Sequence, residues 1–141
     1  MAPQADWITD YGSLAARICL GVVFLYSGYV KWRDPVAGRA EVAALGMPMT
    51  GTFLVLTIFC EIAGGAMILI GIGTRLGALL LLAFTVAATL LGHRFIGLSG
   101  VARQRELTTT LEHLAIVGGF LLLLVHGPGS FSLDALLFGK S

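Results

Sequence analysis

A single carboxylate, Glu61, lies in the middle of Phe53–Ile72, FLVLTIFCEIAGGAMILIGI. A run of about 20 residues is the length an α-helix needs to cross a hydrocarbon core of about 30 Å. A charge at the centre of such a helix costs roughly 2.5–3.5 kcal/mol on insertion scales, so Glu61 requires a partner, a proton or a water-lined cavity. Any fold this chain adopts has to supply that answer at mid-membrane. Composition excludes the water-soluble alternatives. The 141 residues are 57% hydrophobic and 12% charged, with mean hydropathy +0.91. A soluble domain carries about 25% charged residues. The reading is an all-α integral membrane protein, one domain over residues 1–141.

Three further apolar runs complete an antiparallel four-helix bundle, at about Leu14–Val30, Leu76–Gly92 and Leu107–Val125. Trp7 and Tyr11 precede the first span, and Tyr29 and Trp32 close it, as interfacial anchors do. Within it Arg17, Gly21, Phe24, Gly28 and Lys31 recur at helical spacing and share one face. Glycines on that face admit another backbone, so the stripe faces protein and not lipid. The second span carries Thr57 and Glu61 one turn apart, then Gly64-Gly65. Gly71-Ile72-Gly73 is too short for anything except a tight reversal, which makes the second and third spans antiparallel neighbours. Thr85, Thr89 and His93 form the polar stripe of the third span. Glu112, Gly119 and His126 repeat every seven residues on the fourth, with His113 alongside.

Between the first two spans, Asp34-Pro35 and Pro48 bracket a short interfacial helix over Val36–Leu45. After His126, Gly-Pro-Gly-Ser stops the fourth helix, and Ser132 caps a short amphipathic piece ending at Phe138 that lies in the interface. Asp6 and Asp10, with Lys31-Trp32-Arg33 in place of a cleavage site, argue against a cleaved signal peptide. Basic residues set the orientation. Lys31, Arg33, Arg39, Arg94, Arg103 and Arg105 flank the two long connections, against Arg75 and Lys140 on the other side. Both termini are therefore expected outside. A net charge of +1 gives no reason to expect nucleic acid, and Cys19 and Cys60, both in apolar runs, do not form a C-x-x-C.

The ionisable groups fall into two sets. Arg17 lies one or two turns inside the outer edge, and its long side chain reaches towards Glu61, so an Arg17–Glu61 pair is expected. Lys31, His93, Glu112 and His113 gather at the cytoplasmic edge. With the stripes facing inward, the bundle interior becomes a polar path from Arg17 and Glu61 to His93 and Glu112. Buried ionisable groups in a small bundle mark proton, ion or redox sites. Each also has a plainer role: Arg17 and Glu61 as an interhelical pair, Lys31 reaching for the interface, and the histidines hydrated at helix ends.

These residues form a pattern. An Arg…Gly-x-x-Phe…Gly-x-x-Lys first helix precedes Glu-x-x-Gly-Gly and Gly-x-Gly-Thr-Arg. A histidine then ends the third helix, and the chain closes on His-Gly-Pro-Gly-Ser-Phe-Ser-Leu-Asp. In order and spacing, from Arg17 to Asp134, the chain resembles the DoxX family of small four-helix bacterial membrane proteins. The resemblance implies a multi-pass protein of the bacterial inner membrane. It also implies association with redox assemblies, since the family is named for a subunit associated with thiosulfate:quinone oxidoreductase. It aligns Arg17, Lys31, Glu61 and His93 with the family's recurrent polar positions. Glu112-His113 departs from the Lys-Asn of many relatives.

The leading expectation is a redox-associated subunit, with Glu61 and His93 carrying protons and Arg17, Lys31, Glu112 and His113 binding a quinone. A quinone carbonyl takes an Arg, Lys or His donor, and its reduction needs a proton carrier nearby. The partners expected are the lipid bilayer, an oxidoreductase subunit and a second copy of the chain. One alternative is a non-enzymatic scaffold or small transport protein with the charges as interhelical glue. Another is a b-type cytochrome holding haem between His93 and His113. No metal is expected, because the Glu-x-x-His repeats of carboxylate di-metal bundles are absent.

Overall fold

The computed structural model describes residues 4–92 and 96–139, with residues 4–6 as backbone only. Its helices, in chain order, are α1 (Gln4–Arg33), α2 (Pro35–Ala44), α3 (Thr50–Ile70), α4 (Thr74–Gly92), α5 (Gly100–His126) and α6 (Leu133–Phe138). No strand occurs among the described residues. Four helices are long and apolar enough to cross a membrane, over Trp7–Arg33, Thr50–Ile70, Thr74–Gly92 and Gly100–His126. The protein is thus an all-α, four-span bundle.

α1 packs chiefly on α3, α3 on α4, α4 on α5, and α5 closes the ring against α1. α1 and α5 extend well beyond the apolar windows that mark them. The hydrogen-bond ladder continues into the interface even where lipid contact ends. α3 stops two residues short of the predicted Ile72 because Gly71 and Gly73 take positive φ, 77° and 55°, and reverse the chain into α4. The stripe read on the first span is the inner face of α1: Arg17, Leu20, Gly21, Phe24, Gly28 and Lys31 are all buried. At Gly21 a Cβ would stand 3.0 Å from the Gly65 carbonyl oxygen, and at Gly65 one would stand 3.1 Å from the Gly21 carbonyl oxygen. α1 and α3 therefore meet backbone to backbone, and only small residues permit it.

α2 is the expected interfacial helix, capped by Asp34, whose carboxylate accepts the Ala37 N–H at 3.0 Å. It buries Gly38 and Val42 on α1 and α3. α6 begins as predicted at Ser132, whose hydroxyl accepts the Ala135 N–H. The apolar core occupies the end of the bundle nearer the termini: Leu20, Phe24, Ile68, Ala78, Leu81, Phe120 and Leu123. Phe24 lies tilted against Phe120 with ring centroids 5.5 Å apart and meets Phe84 edge-on at 6.5 Å. Above these rings, towards α2, the four helices stop filling the interior, and a cavity opens. The outer surface is apolar, with Val22, Tyr26, Phe59, Leu90 and Leu122 exposed as lipid-facing residues should be.

Candidate functional site

Glu61 is buried, 3% exposed, at the level where α3 crosses Ser27 and Lys31 of α1. Ser27 and Lys31 are one helical turn apart, so both point at the same carboxylate. The Lys31 Nζ donates to Glu61 Oε1 at 3.1 Å and to Ser27 Oγ at 2.8 Å. Ser27 Oγ in turn donates to Glu61 Oε1 at 3.0 Å. Lys31 also lies 3.4 Å from Glu41 Oε1 on α2, a largely exposed carboxylate. The buried charge is thus answered by a cation from α1, and that cation is shared with the interfacial helix. One atom is left over: Glu61 Oε2 is buried and has no hydrogen-bond partner.

The expected Arg17–Glu61 pair does not form. Along α1, Arg17 is 14 residues from Lys31, about 21 Å at 1.5 Å per residue. On antiparallel α3 that displacement puts Arg17 beside the C-terminal end, where α3 has carbonyls to offer. Arg17 donates to the carbonyls of Ile68 at 3.4 Å, Leu69 at 3.3 Å and Phe131. Helix ends leave such carbonyls without intrahelical partners, and a guanidinium satisfies several at once. Around it, Asp134 accepts the N–H groups of Gly73 at 2.8 Å and Thr74 at 2.9 Å and so caps α4 from 60 residues away. The Asp134 N–H donates to the Gly71 carbonyl at 2.7 Å. Gly71 has no room for a side chain, since a Cβ would lie 2.6 Å from the Ser132 Cβ. Ser13 Oγ donates to the Gly127 carbonyl and Asp10 Oδ1 accepts the Ser130 N–H, completing a latch at this end. Arg17 belongs to that latch and not to the cavity.

The cavity at the opposite end has a volume of about 740 Å³, well within the range of small-molecule sites. Apolar side chains dominate its wall, among them Phe24, Phe53, Leu56, Phe84, Leu91 and Ile116. Ser27, Lys31, Glu61 and Cys60 form its polar side on α1 and α3, and Thr85 and His113 face it from α4 and α5. His113 Nδ1 lies 2.7 Å from Thr89 Oγ1. Thr89 has one hydroxyl proton and gives it to the Thr85 carbonyl at 2.7 Å, so His113 Nδ1–H is the donor in that contact.

Of the other predicted site residues, Glu112 is exposed and absent from the cavity wall. The inner face of α5 runs through His113, Ile116, Phe120 and Leu123, with Gly119 against Leu20 of α1, and it leaves Glu112 and His126 exposed. The His113–Thr89 contact sets Glu112 level with the last turn of α4, at the edge of the span, where the carboxylate keeps its water. His93, with the His93–His113 haem pairing it enters, lies outside the described residues. Sequence reading passed over Ser27, although its i, i+4 spacing to Lys31 on the inner stripe was the signal.

The DoxX family model matches residues 12–94, more than half of the chain. The chain belongs to the DoxX family. Inner membrane protein YqjF of Escherichia coli (strain K12) is 36% identical over 133 residues, covering 94% of this chain and 97% of the relative. Inner membrane protein YphA of the same organism is 30% identical over 121 residues, 86% of each chain. An uncharacterized membrane protein of Mycobacterium tuberculosis is 31% identical over 129 residues, 86% of this chain and 78% of the relative. No solved structure matches. The DoxX match contains Arg17, Ser27, Lys31 and Glu61 and ends before His113. With four apolar spans and relatives named for the inner membrane, this DoxX protein is an integral protein of the bacterial inner membrane.

Proposed function

We propose that this DoxX protein binds a quinone-class molecule in the cavity between its spans and serves as a redox-associated subunit of a membrane assembly. The observation that carries the reading is the Lys31–Glu61–Ser27 cluster on the wall of a 740 Å³, mostly apolar cavity. A ring with polar substituents and an apolar tail matches such a site: Lys31 offers a donor, Glu61 an acceptor, and the aromatic wall takes the ring. Glu61, linked through Lys31 to the exposed Glu41, is the group placed to exchange a proton with a bound head group. The excess of basic residues around the α2 end supports an orientation with that end in the cytoplasm and both termini outside.

The test is binding of a short-tailed ubiquinone, in both redox forms, to the purified protein in nanodiscs. Micromolar binding is expected, weakened at least tenfold by Ala88→Phe, which fills the cavity from α4. A folded protein that binds neither form would overturn the reading.

A second reading has its own support. The backbone contact at Gly21 and Gly65 and the Lys31–Glu61 bridge bind α1 to α3 whatever the cavity holds. If the protein is a scaffold, Glu61→Gln lowers stability or partner recovery and leaves quinone binding, if any, untouched.

A further inference from the structure

We propose that the cavity opens sideways into the bilayer through a gap between α1 and α5, and that its ligand is a single-tailed amphiphile entering from the lipid. The head group sits at the Lys31–Glu61–Ser27 cluster, and the tail stays among the acyl chains. This rests on the quinone-class reading above for the head group and adds the route and the tail.

At the level of the cavity, two seams of the ring are closed. Lys31 and Ser27 bond to Glu61 across α1 and α3, and a Cβ on Gly28 would stand 2.7 Å from Ile62 Cγ1. His113 contacts Thr89 across α5 and α4. Val42 and Leu45 of α2 line the cavity's far end. Leu45 reaches over to α4, where a Cβ on Gly92 would stand 2.6 Å from its Cδ2.

The α1–α5 seam differs. Its contact is the thinnest of the four around the ring. Ser13 bonds to Gly127, Leu20 packs on Gly119 and Phe24 lies against Phe120, none of them on the α2 side of the Phe24 ring. Towards α2, the flank of α1 that carries Leu20 continues through Val23 and Ser27. On antiparallel α5 the flank that carries Gly119 continues through Ile116 and Glu112. Val23 lines the cavity and is nevertheless 47% exposed, and Glu112 is exposed as well. Two flanks that touch at Leu20 and Gly119, and are uncovered one and two turns further on, have parted.

Val23 precedes Lys31 by about 12 Å along α1, at 1.5 Å per residue. That is within the half-thickness, about 15 Å, of a hydrocarbon core. Val22 and Tyr26 on α1 and Leu111 and Leu114 on α5 surround the gap with exposed apolar side chains. The gap therefore begins at acyl-chain depth and ends beside Glu112 at the edge of the span. A polar head on an apolar tail fits that gradient, and the cavity then has to house only the head.

The experiment measures binding of ubiquinones with two, four and eight isoprene units to the protein in nanodiscs, with affinity expressed as mole fraction in the lipid. The three are expected to agree within about threefold, because the added tail lies in lipid whether the head is bound or free. A fall of about tenfold or more from two units to eight overturns the inference and leaves a quinone site standing, since the tail is then taken into a closed cavity. The position of the gap is read with a ubiquinone whose ten-carbon tail ends in a diazirine. Photolysis is expected to label residues 22–26 of α1 and 112–119 of α5. Labelling confined to residues 53–57 of α3 and 84–91 of α4 puts the tail elsewhere and overturns the inference too. Should no ubiquinone bind, the quinone-class reading falls and takes this one with it.

Discussion

Lys31 is the residue on which the interior depends, because it neutralises one buried carboxylate and touches a second at the surface. Its removal leaves Glu61 in a low-dielectric site with only a hydroxyl for company. Breaking a buried pair from one side costs about 3–5 kcal/mol, whereas replacing both partners can be nearly neutral. Lys31→Met is therefore expected to lower the unfolding free energy in mixed micelles by about 3 kcal/mol, and Lys31→Met with Glu61→Gln to regain most of it. A double variant as unstable as the single one would show that the two charges are not coupled. At this scale the sequence was informative about which side chains are buried and misleading about which meet. Arg17, Lys31 and Glu61 all lie inside, as the stripes implied. The choice between two cations for one anion turned on axial register between α1 and α3, which helical periodicity does not encode.

The elements at the terminal end are held by a cap supplied from far along the chain. Asp134 receives the first N–H groups of α4, which no residue of the tight Gly71–Gly73 reversal can satisfy with a side chain of its own. Partial desolvation pushes the Asp134 carboxyl up, but the N–H groups of Thr74 and Gly73 and the charge of Arg17 outweigh it and hold it below the usual aspartate range. A lowered folded-state pKa means stability that is present above the unfolded value, about 3.9, and lost as pH falls through the folded value. Asp134→Ala is expected to cost about 1 kcal/mol near neutral pH, as loss of a cap does. Thermal melts of the two proteins should converge below about pH 4 as the native carboxyl protonates. A gap that stayed constant through that range would show that its charge is not what matters. Ser132-Leu133-Asp134 was legible as the start of α6, and Asp134 indeed lies there. Its second duty, capping α4, was hidden because it depends on two loops meeting. α5 misled for a different reason: its polar residues outnumber the small ones that mark an interface, so a heptad count brought Glu112 inside together with His113.

For the molecule as a whole, four spans, two interfacial helices and a buried polar stripe were all readable, since each follows from hydropathy and local punctuation. The cavity was not, because an empty volume belongs to no residue and appears only when four helices fail to close above Phe24 and Phe84. The inferred orientation is tested with cysteine placed by Arg39→Cys or Arg75→Cys in a chain whose Cys19 and Cys60 are serine. A membrane-impermeant maleimide added to intact spheroplasts should label position 75 and spare position 39; the opposite pattern reverses the topology. The latch carries a consequence for the order of assembly. Asp10 bonds to Ser130, Ser13 to Gly127 and Arg17 to Phe131, so some of the earliest residues to leave the ribosome wait for some of the last. Through the synthesis of three spans the Arg17 guanidinium lacks the Phe131 carbonyl. The bundle is sealed at that end by the final stretch of chain, and an insertion pathway has to keep the first span within reach until that stretch arrives.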